Sequence, residues 1–187
     1  MYFFTKKKNN RNIETDNGLT YKQAIKLARK AGACEEGIEA ALKYSSFEEV
    51  FNSDHPKAAE YAYYYAWDVI KKPYETTPRV ILEDAHYAYY YAKYVLKKPY
   101  DETPKAILSH GPYALYYARD VLKRPYIKTP AAILDNAHYA YIYARDILKK
   151  SYDETPESLL NDEYYYWLYH ELTLRRFISI ITKKTFL

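Results

Sequence analysis

The sequence predicts an all-α protein: an αα-solenoid of four 26-residue two-helix repeats with helical N-terminal and C-terminal caps. Three observations predict it. A self-similarity with a 26-residue period runs over residues 58–164, and each copy carries apolar residues at helical spacing. Only 4 glycines stand among 187 residues, too few for hairpin turns or phosphate-cradling loops. A hydrophobic content of 49%, with 26 tyrosines, is enough to bury a core and too much for a disordered chain. The expected organisation is one continuous domain in three parts: a helical cap with a basic start over 1–57, the repeats over 58–164, and a cap and tail over 165–187.

The chain opens on Met1-Tyr2-Phe3-Phe4 followed by Lys6-Lys7-Lys8, the reverse of a secretory signal, in which the charge precedes the apolar stretch. No run reaches the ~18 apolar residues that a membrane helix needs. A soluble, cytoplasmic protein is expected. Helical periodicity without the repeat motif follows at 19–30, 35–44 and 47–51. Cys34, the one cysteine, excludes an internal disulfide and a cysteine-rich zinc site, and reads as a small side chain beside Ala31 and Ala33.

The copies read YAYYYAWDVIKKPYETTPRVILEDAH from Tyr61, YAYYYAKYVLKKPYDETPKAILSHGP from Tyr87, YALYYARDVLKRPYIKTPAAILDNAH from Tyr113 and YAYIYARDILKKSYDETPESLLNDEY from Tyr139. Ala88, Tyr91, Ala92, Val95 and Leu96, with their equivalents, fall on one stripe of a helix and form the expected core. Pro73, Pro99 and Pro125 should stop that helix, since proline lacks an N–H and clashes with the preceding turn; Ser151 takes the place in the fourth copy. Thr77-Pro78, Thr103-Pro104, Thr129-Pro130 and Thr155-Pro156 offer an N-cap hydroxyl and a first-turn proline for a second, short helix. That helix carries one apolar pair per copy, such as Ile107-Leu108. A unit of this kind cannot bury its stripe alone and must stack on its neighbours. Tyr164-Tyr165-Tyr166-Trp167-Leu168 begins a degenerate fifth helix, while β-branched Ile178, Ile180, Ile181 and Thr182 leave 175–187 open between strand and helix.

The pattern A-x-x-Y-A-x-x-V-[IL]-K, carried here by Ala88, Tyr91, Ala92, Val95, Leu96 and Lys97 and their equivalents, resembles repeats in uncharacterised proteins of bacteriophages and other mobile elements. This chain departs from them in its turn, KKPY or KRPY. The resemblance covers a little over half the chain. It implies an architecture and a phage-like origin, and with that origin a counter-defence or host-takeover role, such as an anti-CRISPR-like inhibitor of a host immune protein. It assigns no activity to any residue.

The residues themselves argue for a non-enzyme without metal or cofactor. His86 and His138 recur two copies apart, too far to share an ion, and His55, His110 and His170 have no partner at ligand spacing. Glu83-Asp84 and Asp101-Glu102 sit at helix ends or turns, where acids complement a helix N-terminus or are solvated. Residues 61–164 carry fourteen basic and fourteen acidic side chains, so the net charge of +4 comes mainly from the C-terminal tail.

Opposite the apolar stripe, a helical wheel collects a ribbon of Tyr64, Trp67, Lys71, His86, Tyr90, Lys93, Lys97, Tyr116, Arg119, Lys123, His138, Arg145 and Lys149. Asp68 with Lys72, Asp120 with Arg124 and Asp146 with Lys150 should form i,i+4 pairs, which leaves the seven ribbon cations unmatched. The ribbon is either a solvated face or a surface where aromatic rings and cations meet an anionic partner. The function expected is that of an interaction protein that binds and blocks or scaffolds a macromolecular partner. A protein is the first expectation for that partner and a nucleotide or nucleic acid held by the ribbon the second; no membrane is involved, and a homodimer through the apolar chain ends is a third reading.

Overall fold

The computed structural model describes residues 20–51 and 53–185, and its regular elements are helices: twelve α-helical and four π-helical segments, with no strand among the described residues. The chain divides into two compact units, Met1–Val80 and Ile81–Leu187.

In the first unit, α1 (Tyr21–Lys30) starts at a capping box: the Gln23 N–H donates to Thr20 Oγ1 at 3.3 Å and the Thr20 N–H to Gln23 Oε1 at 2.8 Å. It ends where Gly32, at φ 87°, lets the Ala33 N–H reach back to the Ala28 carbonyl at 3.0 Å. Helix α2 (Glu35–Leu42) places Glu35 and Glu36 in its first turn, where the helix dipole favours acids. Helix α3 (Phe47–Phe51) is capped by Ser46, whose hydroxyl accepts from the Glu49 N–H at 3.1 Å. Tyr21, Ile25, Ile38 and Val50 form the buried centre of this unit. Helix α4 (Ala58–Tyr64) then widens into a π-helical turn (Tyr65–Ile70).

Helix α5 (Arg79–Glu83) contains the division between the units. The second unit repeats one plan. A helix starts at α6 (Ala85–Tyr90), α8 (Gly111–Tyr117) or α10 (Ala137–Ile142) and widens into a π-helical turn: Tyr91–Leu96, Ala118–Leu122 or Tyr143–Leu148. A short helix follows each: α7 (Lys105–Leu108), α9 (Ala131–Leu134) and α11 (Glu157–Leu160). The last element is α12 (Glu163–Thr185). Asp84, Asn136 and Asp162 cap their helices by accepting from the N–H three residues on, at 2.9, 3.1 and 3.0 Å. At the equivalent His110 no side chain caps, and Pro112 in the first turn needs no acceptor.

The predicted stripe is the core. Ala88, Tyr91, Ala92, Ala114, Tyr117, Ala118, Ala140, Tyr143 and Ala144 are wholly buried, as is the first apolar residue of each short helix, Ile81, Ile107, Ile133 and Leu159. The second residue of each pair is not: Leu82, Leu108 and Leu134 are half-buried and Leu160 is exposed. Tyr63, Tyr89 and Leu115, a column outside the predicted stripe, are buried too.

Two hydrogen bonds recur with the repeat. The turn tyrosines Tyr100, Tyr126 and Tyr152 donate their hydroxyls to the carbonyls of Ala88, Ala114 and Ala140 at 2.9, 2.9 and 2.8 Å. Their own N–H groups donate to the hydroxyls of Tyr117, Tyr143 and Tyr169, on the following helix, at 2.9, 2.8 and 2.8 Å. In the first unit Tyr74 binds the Ala62 carbonyl in the same way, at 2.7 Å. Each bond contributes on the order of 1 kcal/mol, and the second ties one copy to the next.

Three expectations change. The long helices end at Lys71, Lys97, Lys123 and Lys149, two residues before Pro73, Pro99, Pro125 and Ser151, and these lysines take the left-handed conformation at φ 54–55° and turn the chain. Proline only excludes resumption two residues later. The threonines of three Thr-Pro pairs do not cap: Pro104, Pro130 and Pro156 occupy the cap position. Residues 175–185, left open by the sequence, continue α12 as helix. The N-terminal Met1–Phe4 run and Lys6–Lys8 lie outside the described residues. No helix among the described residues is long and apolar enough to cross a membrane.

Candidate interaction surface

The left-handed lysines decide which ribbon residues are free. Lys71, Lys97, Lys123 and Lys149 are exposed, each beyond the last helical turn, and none makes an ion pair or side-chain hydrogen bond among the described residues. Their position next to helix C-terminal carbonyls suits a cation.

The other three ribbon cations are matched, against the sequence expectation. Lys93 donates to Asp120 Oδ2 at 2.8 Å and to the Tyr89 hydroxyl at 2.8 Å; Tyr89 donates to the same carboxylate oxygen at 2.5 Å; Arg119 Nε donates to Asp120 Oδ1 at 2.6 Å. The Asp120 side chain is 16% exposed. Arg119 first, then Lys93 and Tyr89, hold its carboxyl well below the usual carboxylate range. Burial and the Asp120 bond push Tyr89 up to about 12. In the next copy Arg145 Nε donates to Asp146 Oδ1 at 2.6 Å.

The expected i,i+4 partners are absent because the helix does not last four residues past each aspartate. Beyond left-handed Lys123 and Lys149 the chain turns, so Arg124 forms no ion pair among the described residues and Lys150 reaches Asp153 at 3.5 Å instead.

The aromatic members divide. In the first unit, Tyr64 and Trp67 are exposed and stack nearly parallel, 6.4 Å apart and 7° inclined. In the second, Tyr90 is half-buried between the rings of His86 at 4.6 Å and Tyr94 at 5.6 Å. Tyr116 is exposed under the Arg119 guanidinium at 5.1 Å. His86 and His138 share hydrogen bonds with Tyr113 and Tyr165 of the following helices, at 2.6 and 2.7 Å, so both stitch consecutive helices together. Among the described residues no three His, Cys, Asp or Glu side chains meet as a metal site would require.

A second surface lies on α12, where the sequence reading placed no site residue. Tyr165 and Tyr169 face inward against the core of the last repeat, and Arg176 donates to the Ala144 and Arg145 carbonyls at 3.3 and 3.1 Å. That anchoring turns another face outward. Tyr164, Trp167, Leu174 and Phe177, all at least 56% exposed, lie on one face about 140° wide at the α-helical rotation. The apolar residues of the expected fifth helix were the available signal; leaving 175–187 open between strand and helix kept Phe177 from being placed on the same face as Tyr164, Trp167 and Leu174.

In comparisons with protein-family models, curated proteins and solved structures, nothing matches this chain.

Proposed function

We propose that the protein is a non-enzymatic interaction protein whose four repeats stack as an αα-solenoid and present α12 to a protein partner, which it blocks or scaffolds. The recurrence of the turn-tyrosine bonds with the repeat supports the stacking. The observation that carries the function is the exposed face of Tyr164, Trp167, Leu174 and Phe177: large apolar side chains gathered on one rigid helix mark a surface that excludes water with a partner. A counter-defence inhibitor of a host immune protein is the specific form of this reading suggested by the phage-like resemblance of the repeats. Affinity capture from the source cells by the wild type and by Trp167→Glu/Leu174→Glu tests it. A partner held by the wild type and lost by the variant supports the reading, whereas an identical capture by both overturns it. Light scattering on the same pair distinguishes self-association, which would appear as a dimer that the variant abolishes.

A second reading, a binder of nucleotide or nucleic acid, draws on the four unmatched lysines. With Lys93, Arg119 and Arg145 already neutralised, at most four phosphates are met. The logarithm of the binding constant for a duplex should then fall with the logarithm of salt with a slope no steeper than about −3.6. An oligonucleotide titration showing no salt-dependent binding removes this reading.

A further inference from the structure

We propose that the first unit carries a binding site for a small organic cation with a flat apolar body. The site is a cavity among α1, α2, α3 and the helix that begins with α4, with a volume of about 400 Å³. That lies within the roughly 300–1,000 Å³ common for small-ligand sites. Six aromatic side chains line it: Tyr21, Phe47, Phe51, Tyr61, Tyr64 and Tyr65. Their mutual packing holds them in place, with Tyr21 edge-on to Phe47 at 4.8 Å and Phe47 against Tyr65 at 4.1 Å. Ile25, Ile38, Val50 and Val69 add aliphatic wall, and small alanines with Gly32 and Gly37 fill little of the space.

The charge of the lining selects the ligand. Glu60 and Asp68 both face the cavity, and no Lys, Arg or His lines it. Neither carboxylate makes an ion pair or hydrogen bond among the described residues. The nearby Lys57 is ion-paired with Glu36 at 3.6 Å and interacts with Glu60 more weakly, without an ion pair. Asp68 lacks the partner its sequence suggests, Lys72, because the chain turns at left-handed Lys71 between them. An anion would meet two unneutralised carboxylates and the negative faces of the rings. A cation meets attraction from both, and its apolar body takes the place of water against the rings. A fused aromatic ring bearing a quaternary ammonium has this chemistry. The cavity also reaches exposed Cys34, so an occupant covers a thiol that reagents otherwise reach.

The test compares two probes with the same ring and opposite charge, (naphthylmethyl)trimethylammonium and naphthalenesulfonate, by isothermal titration calorimetry on the full chain. The cation should bind at least about tenfold more tightly than the sulfonate. At saturation it should slow the alkylation of Cys34 by iodoacetamide severalfold. In Glu60→Gln/Asp68→Asn the preference should fall below about threefold with the melting temperature unchanged. Absence of binding at millimolar concentration, equal binding of both probes, an unprotected Cys34, or a preference that survives in the double variant overturns the proposal. Charge preference and thiol protection are both read on the wild type, so the decision does not depend on the variant. None of these outcomes involves α12.

Discussion

Lys71, Lys97, Lys123 and Lys149 hold φ 54–55°, where an L side chain crowds its own backbone and glycine does not. The array accepts that strain four times, once at the end of each long helix. Lys123→Gly should therefore raise stability by roughly 0.5–1 kcal/mol, and Lys123→Val should lower it by at least ~1 kcal/mol, since branching at Cβ stiffens an already crowded residue. Urea unfolding of the pair measures both signs. Asp120 works differently. It gathers Lys93, Arg119 and Tyr89 around one carboxylate, and Asp120→Asn leaves those donors with a weaker acceptor in a largely buried position. A loss of about 1–3 kcal/mol is expected, seen as a lower melting temperature. Asp120 was visible in the sequence as an acid on a helix. Its partners were not, because Lys93 lies one copy away and pairing by local spacing pointed to Arg124.

At the level of the elements, periodicity alone located the helices and their buried alanines, because a 3.6-residue stripe repeated four times leaves little freedom of phase. It could not show the π-helical turns. Tyr89 and Leu115, in the α-helical stretches that precede those turns, lie outside the expected stripe and are buried as well. Nor could it show what the KKPY tyrosines do, since their bonds span seventeen and twelve residues and only the folded chain brings the atoms together. Tyr126→Phe keeps the ring and removes the hydroxyl, leaving the Ala114 carbonyl with only its backbone donor, the Ala118 N–H; a loss of about 1 kcal/mol is expected in thermal melts. Ala92→Leu or Ala118→Leu adds three carbons where no space exists and should cost about 1–3 kcal/mol by the same measurement. The ribbon divided for a related reason. A helical wheel assigns faces but not contacts: one across-copy pair, Lys93 with Asp120, and two pairs of sequence neighbours, Arg119 with Asp120 and Arg145 with Asp146, neutralised three of its seven cations.

The molecule as a whole depends on protonated phenols. Burial raises Tyr100, Tyr126 and Tyr152 well above their ordinary value of 10.0, and Tyr117 and Tyr143 move in the same direction. A folded-state value above the unfolded one means that their contribution is complete below pH 10 and is lost as pH rises further. Alkaline unfolding should be cooperative, with tyrosinate absorbance and loss of helical circular dichroism rising together. Tyrosinate formation on a chain that keeps its full helical signal would contradict this. On the acid side, Asp120 and Asp146 are shifted below their ordinary 3.8, so their contribution is complete above that value and disappears as pH falls. The turn-tyrosine bonds have one more consequence, for the gene. Their spans are the same in every copy, so removing or adding 26 codons within the array restores each donor to an equivalent acceptor. Excising residues 101–126, for example, would hand the Tyr143 hydroxyl from Tyr126 to Tyr100. Gain or loss of a whole 26-codon unit would thus change the number of copies while sparing the bonds that join them, making array length a quantity that selection can adjust in whole steps.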